Sequence, residues 1–271
     1  MPTLPRRRWA EMSSLEFSQL DRERVIAVLP VAAIEQHGPH LPVAVDTCIV
    51  EGIVDRVVEL APENLPVTFL PTQAIGKSNE HARYPGTLTF SAETLIRTWM
   101  EIGHCVAAAG VRKLVLFNGH GGQLSVMDIV SRDLREAHEM LVVCCSWFGL
   151  GIPEGLYDAH EVEHGIHAGG METSMMLALM PERVDMGKAK RFGSLTERLA
   201  AENKHLSLRP GGKLAWQSQD LNPKGAMGDA TDADPERGRK LVDHAAREFI
   251  TLLEEVDRFP LERLDNDPAW G

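Results

Sequence analysis

Short apolar runs alternate along the chain with longer stretches of helical period. VIAVLPV (25–31) is continuously apolar and reads as a buried strand. VTFLPT (67–72), KLVLFNG (113–119) and MLVVCCSWF (140–148) have the same character. Between them, apolar positions recur every three or four residues over 48–60, 93–109 and 124–139, which predicts helices. Ser91 is placed to cap the second of these, and Gly110 to end it. Two further helices are expected, from about Gly170 to Met180 and from about Pro235 to Glu255. Residues 183–234 have weak periodicity and many Gly, Pro and polar positions, and read as irregular cover. Buried strands separated by helices predict an α/β fold with a mostly parallel sheet covered on both faces. No repeat or linker splits the chain, so 1–271 is expected to be one domain.

Composition narrows the function more than the fold. A formal charge of −11 argues against a nucleic-acid partner, which needs clustered Lys and Arg. Arg6-Arg7-Arg8 is the only basic run, and no apolar h-region follows it as in a secretory signal. No apolar stretch has the length of a membrane span. Cys48, Cys105, Cys144 and Cys145 make no CxxC pair, and reduced thiols in a cytoplasmic protein are expected.

Three polar clusters fall where strands end or a helix starts, the place where open parallel sheets build their sites. They are Glu35-Gln36-His37 with Asp46, the run Asn118-Gly119-His120-Gly121-Gly122, and HAGGMETS with His167 and Glu172. Glu35 and His37 are two apart, so an extended backbone points both to one side. Asp46 lies nine residues beyond His37, within reach of a returning loop. Two Glu, two His and one Asp in one crevice suit two Zn, Mn or Fe ions. Each cluster also has an ordinary reading: a strand-end turn, a turn with a surface His, and a carboxylate favoured in a first helical turn. NGHGG lacks the third glycine of a dinucleotide loop.

HEVEH (160–164) matches the H-E-x-x-H pattern of zinc peptidases. That pattern needs a continuous helix, whereas GIPEGLYDA precedes it and Gly165, Gly169 and Gly170 follow. A polar loop is expected there, with His164 a candidate to face the site.

Taken together, LPVAAIEQHGPHLPVAVDT, SNEHARYPGTLTF, FNGHGGQ, HAGGMETSMML and GAMGDATDAD resemble the creatininase superfamily of creatinine amidohydrolases and related deformylases. The resemblance runs through most of the chain. It implies a three-layer α/β/α sandwich, two divalent metal ions and a homohexamer. It also implies that Glu35, Asp46 and His120 hold one metal, and that His37, Asp46 and Glu172 hold the other. His167 matches a catalytic acid or base. Ser78, Glu80 and His81 resemble a segment expected to contact substrate or support the site. Two positions depart from creatininase itself. Gly122 stands where the family enzyme has a metal-site Glu, and Glu163 where it has a substrate-facing Trp. Both count against creatinine as substrate, and NGHGG is closer to the branch of formamide deformylases and a peptide-processing enzyme. Trp147 and Trp216 are candidates for pocket lining or for core.

The expected function is therefore metal-dependent hydrolysis of a small cyclic amide or formamide, with Glu172 and His167 in the catalytic centre. The alternatives are a peptide-processing metallopeptidase and a metal-free small-molecule binding module on the same fold.

Overall fold

The computed structural model describes residues 4–264. Its central sheet contains β1 (Ile26–Val31), β2 (Val67–Phe69), β3 (Lys113–Asn118) and β4 (Leu141–Ser146). All neighbours are parallel, in the order β2-β1-β3-β4. Val31 pairs with Asn118 and Asn118 with Ser146, so three strands end level. Their carboxyl ends form one rim, the position where α/β sheets place their ligands.

The helices, in order, are α1 (Ser14–Ser18), α2 (Val45–Leu60), α3 (Ala92–Ala108), α4 (Leu124–His138), α5 (Ala159–His164), α6 (Gly170–Leu179), α7 (Leu195–Glu202), α8 (Ser218–Leu221) and α9 (Pro235–Arg258). Strand side chains alternate between two faces. Ile26, Val28, Val115 and Phe117 pack on one side with apolar residues of α2, α6 and α9. Ala27, Leu29, Leu114 and Leu116 pack on the other with α3 and α4. Helices thus cover both faces, and the expected three-layer α/β/α sandwich is the architecture found. None of the helices among the described residues is long and apolar enough to cross a membrane.

Three expectations change in detail. The helix expected from residue 48 begins at Val45, which puts Asp46 in its first turn rather than in a returning loop. Free backbone N–H groups at a helix start favour a carboxylate there. The expected strand over 67–72 shortens to β2, with Pro71 unable to donate to a ladder. Residues 183–234 are not irregular throughout. They hold α7, α8 and an antiparallel pair of two-residue strands, β5 (Arg191–Phe192) and β6 (Gly228–Asp229). Capping boxes of Ser194 with Glu197 and of Gln217 with Asp220 start these two helices, of eight and four residues.

Helix α9 braces the layer that carries the site. Lys113, buried at the start of β3, donates from Nζ to the carbonyls of Val256 (3.0 Å) and Asp257 (2.8 Å) at the end of α9. At the other end, Ser174 of α6 accepts from the Asp234 N–H at 3.0 Å. Gly238 lies so near the Ser174 carbonyl that any Cβ would overlap it. Because the obstacle is backbone, Gly238→Ala is expected to lower stability by about 1–3 kcal/mol in urea unfolding.

Candidate metal centre

The rim of the sheet gathers the polar residues one element at a time. The segment after β1 supplies Glu35, Gln36 and His37, and the first turn of α2 supplies Asp46. A short helical turn, Asn79–His81, supplies Glu80 and His81. The segment after β3 supplies His120, and the start of α6 supplies Glu172 just beyond His167. Glu35, His37, Asp46, Glu80, His81, His120 and His167 are all buried, and Glu172 is half-buried.

Asp46 is central to the geometry. Its Oδ1 lies 3.2 Å from His37 Nε2 and its Oδ2 lies 3.3 Å from His120 Nδ1. Glu35 Oε2 is 3.1 Å from the same His120 nitrogen, and Glu172 Oε2 is 3.9 Å from His37 Nε2. The two oxygens of one carboxylate thus face two different imidazoles. His37 with Asp46 and Glu172 forms one group of donors close enough to share an ion. Glu35 and His120 belong to another, which also includes Glu80.

The inner nitrogens of both rings are turned toward the carboxylates, where an ion would take the place of a proton. His37 donates from Nδ1 to the carbonyl of Glu35 at 3.0 Å, which turns Nε2 inward. His120 donates from Nε2 to the carbonyl of Lys77 at 3.0 Å, with Glu80 Oε1 at 3.1 Å from the same nitrogen. Its Nδ1 therefore faces Glu35 and Asp46. Bracing of the outer ring nitrogen by an acceptor is characteristic of metal-binding histidines. His37 Nε2 and Asp46 Oδ2 are buried without any hydrogen-bond partner. Orphaned polar atoms of this kind are costly, and an ion between them would satisfy both. The residues present fit a pair of divalent ions.

Electrostatics point the same way. Burial opposes a charge on His37, yet Asp46, Glu172 and Glu35 together raise its ring to about 9. Burial also opposes the Asp46 charge, and His37 and His120 nonetheless hold its carboxyl well below the usual range. His120 is held well above its ordinary value against burial by Glu35, Asp46 and Glu80. Glu172 is lifted by burial to about 7. The carboxylates call for cations, and His37 and His120 take up protons in answer. His167 behaves oppositely: burial, with His37 and His81 nearby, pushes it well below its usual value.

The other expected site residues also converge. Ser78 donates from Oγ to Glu35 Oε2. His81 lies with Nε2 3.5 Å from Glu35 Oε1, and His167 with Nδ1 3.6 Å from the same oxygen. The rings of His81 and His167 stack at 4.3 Å, and those of His167 and His37 lie 4.1 Å apart. Trp216 meets His81 edge-on at 6.2 Å, whereas Trp147 is buried in the core. Gly122 borders the Glu80 carboxylate so closely that a side chain there would displace it. Glu163 turns to the surface and pairs with Arg209 at 3.3 Å. Gln36 had no expected role, yet its buried side chain reaches both His81 and His167. Its place between two candidate ligands was the available signal.

HEVEH is a short helix, α5, and not the polar loop expected from its flanking glycines. Asp158 caps it by accepting from the Glu161 N–H at 2.8 Å. Glu161 is buried and accepts from the N–H groups of Gly170 and, at 2.8 Å, Asp229. It thereby ties the start of α6 to β6. His160 pairs with Glu197 and His164 with Thr196, so neither His is directed at the centre. The double variant His160→Ala, His164→Ala is expected to keep its metal content unchanged by elemental analysis. Glu161→Ala is expected to cost on the order of 3 kcal/mol in urea unfolding, because the buried Gly170 N–H and the part-buried Asp229 N–H lose their acceptor.

Comparison with known proteins identifies the family. The creatininase family model, described as creatinine amidohydrolase, matches residues 10–253. A mycofactocin precursor peptide peptidase of Mycobacterium tuberculosis (strain CDC 1551 / Oshkosh) is 31% identical over 264 residues, covering 91% of this chain and 93% of that protein. A creatinine amidohydrolase of Pseudomonas putida is 32% identical over 182 residues, covering 60% of this chain and 67% of that protein. A solved structure of a putative creatinine amidohydrolase from Bacteroides fragilis superposes with a TM-score of 0.77 at 22% identity, covering 96% of this chain and 99% of that one. The manganese form of creatininase gives 0.73 at 23% identity, covering 92% and 98%. Motifs, fold and family match lead to one conclusion: the chain belongs to the creatininase family.

Proposed function

We propose that this protein is a binuclear metal-dependent amidohydrolase that cleaves the C–N bond of a small cyclic amide or a formamide. The observation that carries the reading is the placement of Asp46 between His37 and His120, one oxygen toward each ring. Glu35, Asp46 and His120 would hold one ion, and His37, Asp46 and Glu172 the other. Imidazole and carboxylate donors suit Zn, Mn or Fe. When bound, two such ions acidify water toward neutral pH and polarise a carbonyl.

The chain's own residues supply the rest. His167 donates from Nε2 to the Gln36 carbonyl at 2.7 Å, so its Nδ1 lone pair faces the centre. Neutral and buried, His167 is placed to take a proton from the attacking water and return it to the leaving nitrogen. Glu172 Oε2 accepts from the Ala168 N–H, which fixes this proposed ligand of the catalytic centre beside His167. Ser78 and Glu80 hold Glu35 and His120 in place, and His81 is the candidate to contact substrate. The departures at Gly122 and Glu163 favour a substrate other than creatinine. Reduced thiols fit a cytoplasmic setting, and the family resemblance alone implies a homohexamer.

Cleavage of a peptide is a second reading, favoured by the similarity to mycofactocin precursor peptide peptidases over 91% of the chain. Parallel assays of formamides, lactams and short peptides by mass spectrometry separate the two. Asp46→Ala is expected to lose both ions, measured as metal per chain. His167→Ala is expected to keep them while kcat falls by ~10²–10⁴-fold. Full metal content and turnover in Asp46→Ala would overturn the proposal.

A further inference from the structure

Gln36 lies between two of the candidate metal ligands, but its side chain reaches the cover segment over the site. Its amide can take only one orientation. Oε1 accepts from the Gly38 N–H at 2.9 Å, and Nε2 donates to the Gly225 carbonyl at 2.8 Å. The reverse orientation would set N–H against N–H and oxygen against oxygen. Gly225, at φ +74°, leaves no room for a side chain beside the Gln36 oxygen, so the fit is tight as well as polar.

The orientation of the amide fixes a ring. An amide nitrogen only donates, so His81 Nδ1, 2.6 Å from Gln36 Nε2, must accept. The proton of His81 is then on Nε2, the atom 3.5 Å from Glu35 Oε1. The main chain of the same residue fixes a second ring. The Gln36 carbonyl accepts from His167 Nε2, which leaves Nδ1 as a lone pair 3.6 Å from that same Glu35 oxygen. The two amide hydrogens have three acceptors within reach, His81 Nδ1, the Gly225 carbonyl and, at 3.1 Å, Ser218 Oγ, of which His81 is the nearest. The 3.2 Å approach of Gln36 Nε2 to His167 Nε2 is therefore a contact between two donors.

We propose that Gln36 is a positioning residue that makes the stacked pair of rings functionally opposite, with His81 presenting an N–H to the centre and His167 a lone pair. The two rings carry the same tautomer but are turned so that different nitrogens face inward. In the amidohydrolase reading, on which this consequence rests, one ring steadies developing negative charge while the other accepts a proton. The tautomers themselves do not depend on that reading.

The test uses the full chain with labelled histidine nitrogens, zinc-loaded and again without added metal. Nitrogen NMR is expected to show His81 and His167 both protonated at Nε2. In Gln36→Glu, whose carboxylate can only accept, His81 should shift its proton to Nδ1 while His167 stays as it was. Metal content should remain that of the parent, with kcat lower by ~10²-fold and KM within about threefold. Gln36→Met, which has no donor, should give a mixture of His81 tautomers. An Nδ1–H tautomer of His81 in the parent would overturn the proposal, as would a His81 tautomer unmoved in both variants. Expected tautomers in a chain that hydrolyses no amide would leave the Gln36 assignment standing and remove the hydrolase reading.

Discussion

The structure depends on a concentration of negative charge that it cannot tolerate unpaired. Glu35, Asp46 and Glu80 are buried at the rim of one sheet, with Glu172 beside them. Burying ionised carboxylates is strongly unfavourable unless cations or hydrogen bonds compensate. Here the compensation comes from imidazoles, whose own protonation is driven up at His37 and His120. Two divalent ions would do the same with greater charge, and they would use the orphaned atoms of His37 and Asp46. The donor set suits cations.

The rest of the fold brings these groups together and holds them. Level strand ends at Val31, Asn118 and Ser146 make the rim. Two helix starts aim carboxylates at it, Asp46 from α2 and Glu172 from α6, where the helix dipole also favours them. Glu161 joins the α6 start to β6, and α9 closes against α6 at Gly238. Residues far from any reacting atom therefore determine where Glu172 stands.

Much of this was legible in the sequence because strong signals coincide there. Four continuous apolar runs marked the four main strands, and the residues just beyond them marked the rim. The candidate ligands Glu35, His37, Asp46, His120 and Glu172 all arrive at one centre. Less legible were features that depend on contacts between distant segments. The α5 helix owes its existence to Asp158 capping and to Glu161 finding N–H groups of residues 170 and 229, which flanking glycines do not announce. The first-turn position of Asp46 was missed because the helical period is clear only from residue 48. The elements β5, β6 and α8 are only two to four residues long, and α7 is a two-turn helix set among polar segments. The part played by Gln36 rests on Gly225, 189 residues away.

The most direct test of the central claim is anomalous X-ray scattering from crystals of the protein grown with zinc or manganese. The account predicts two peaks about 3.5–4 Å apart. One should be bounded by Glu35, Asp46 and His120 and the other by His37, Asp46 and Glu172, with Asp46 shared. No peak at this rim, or ions held instead by His160 and His164, would contradict it.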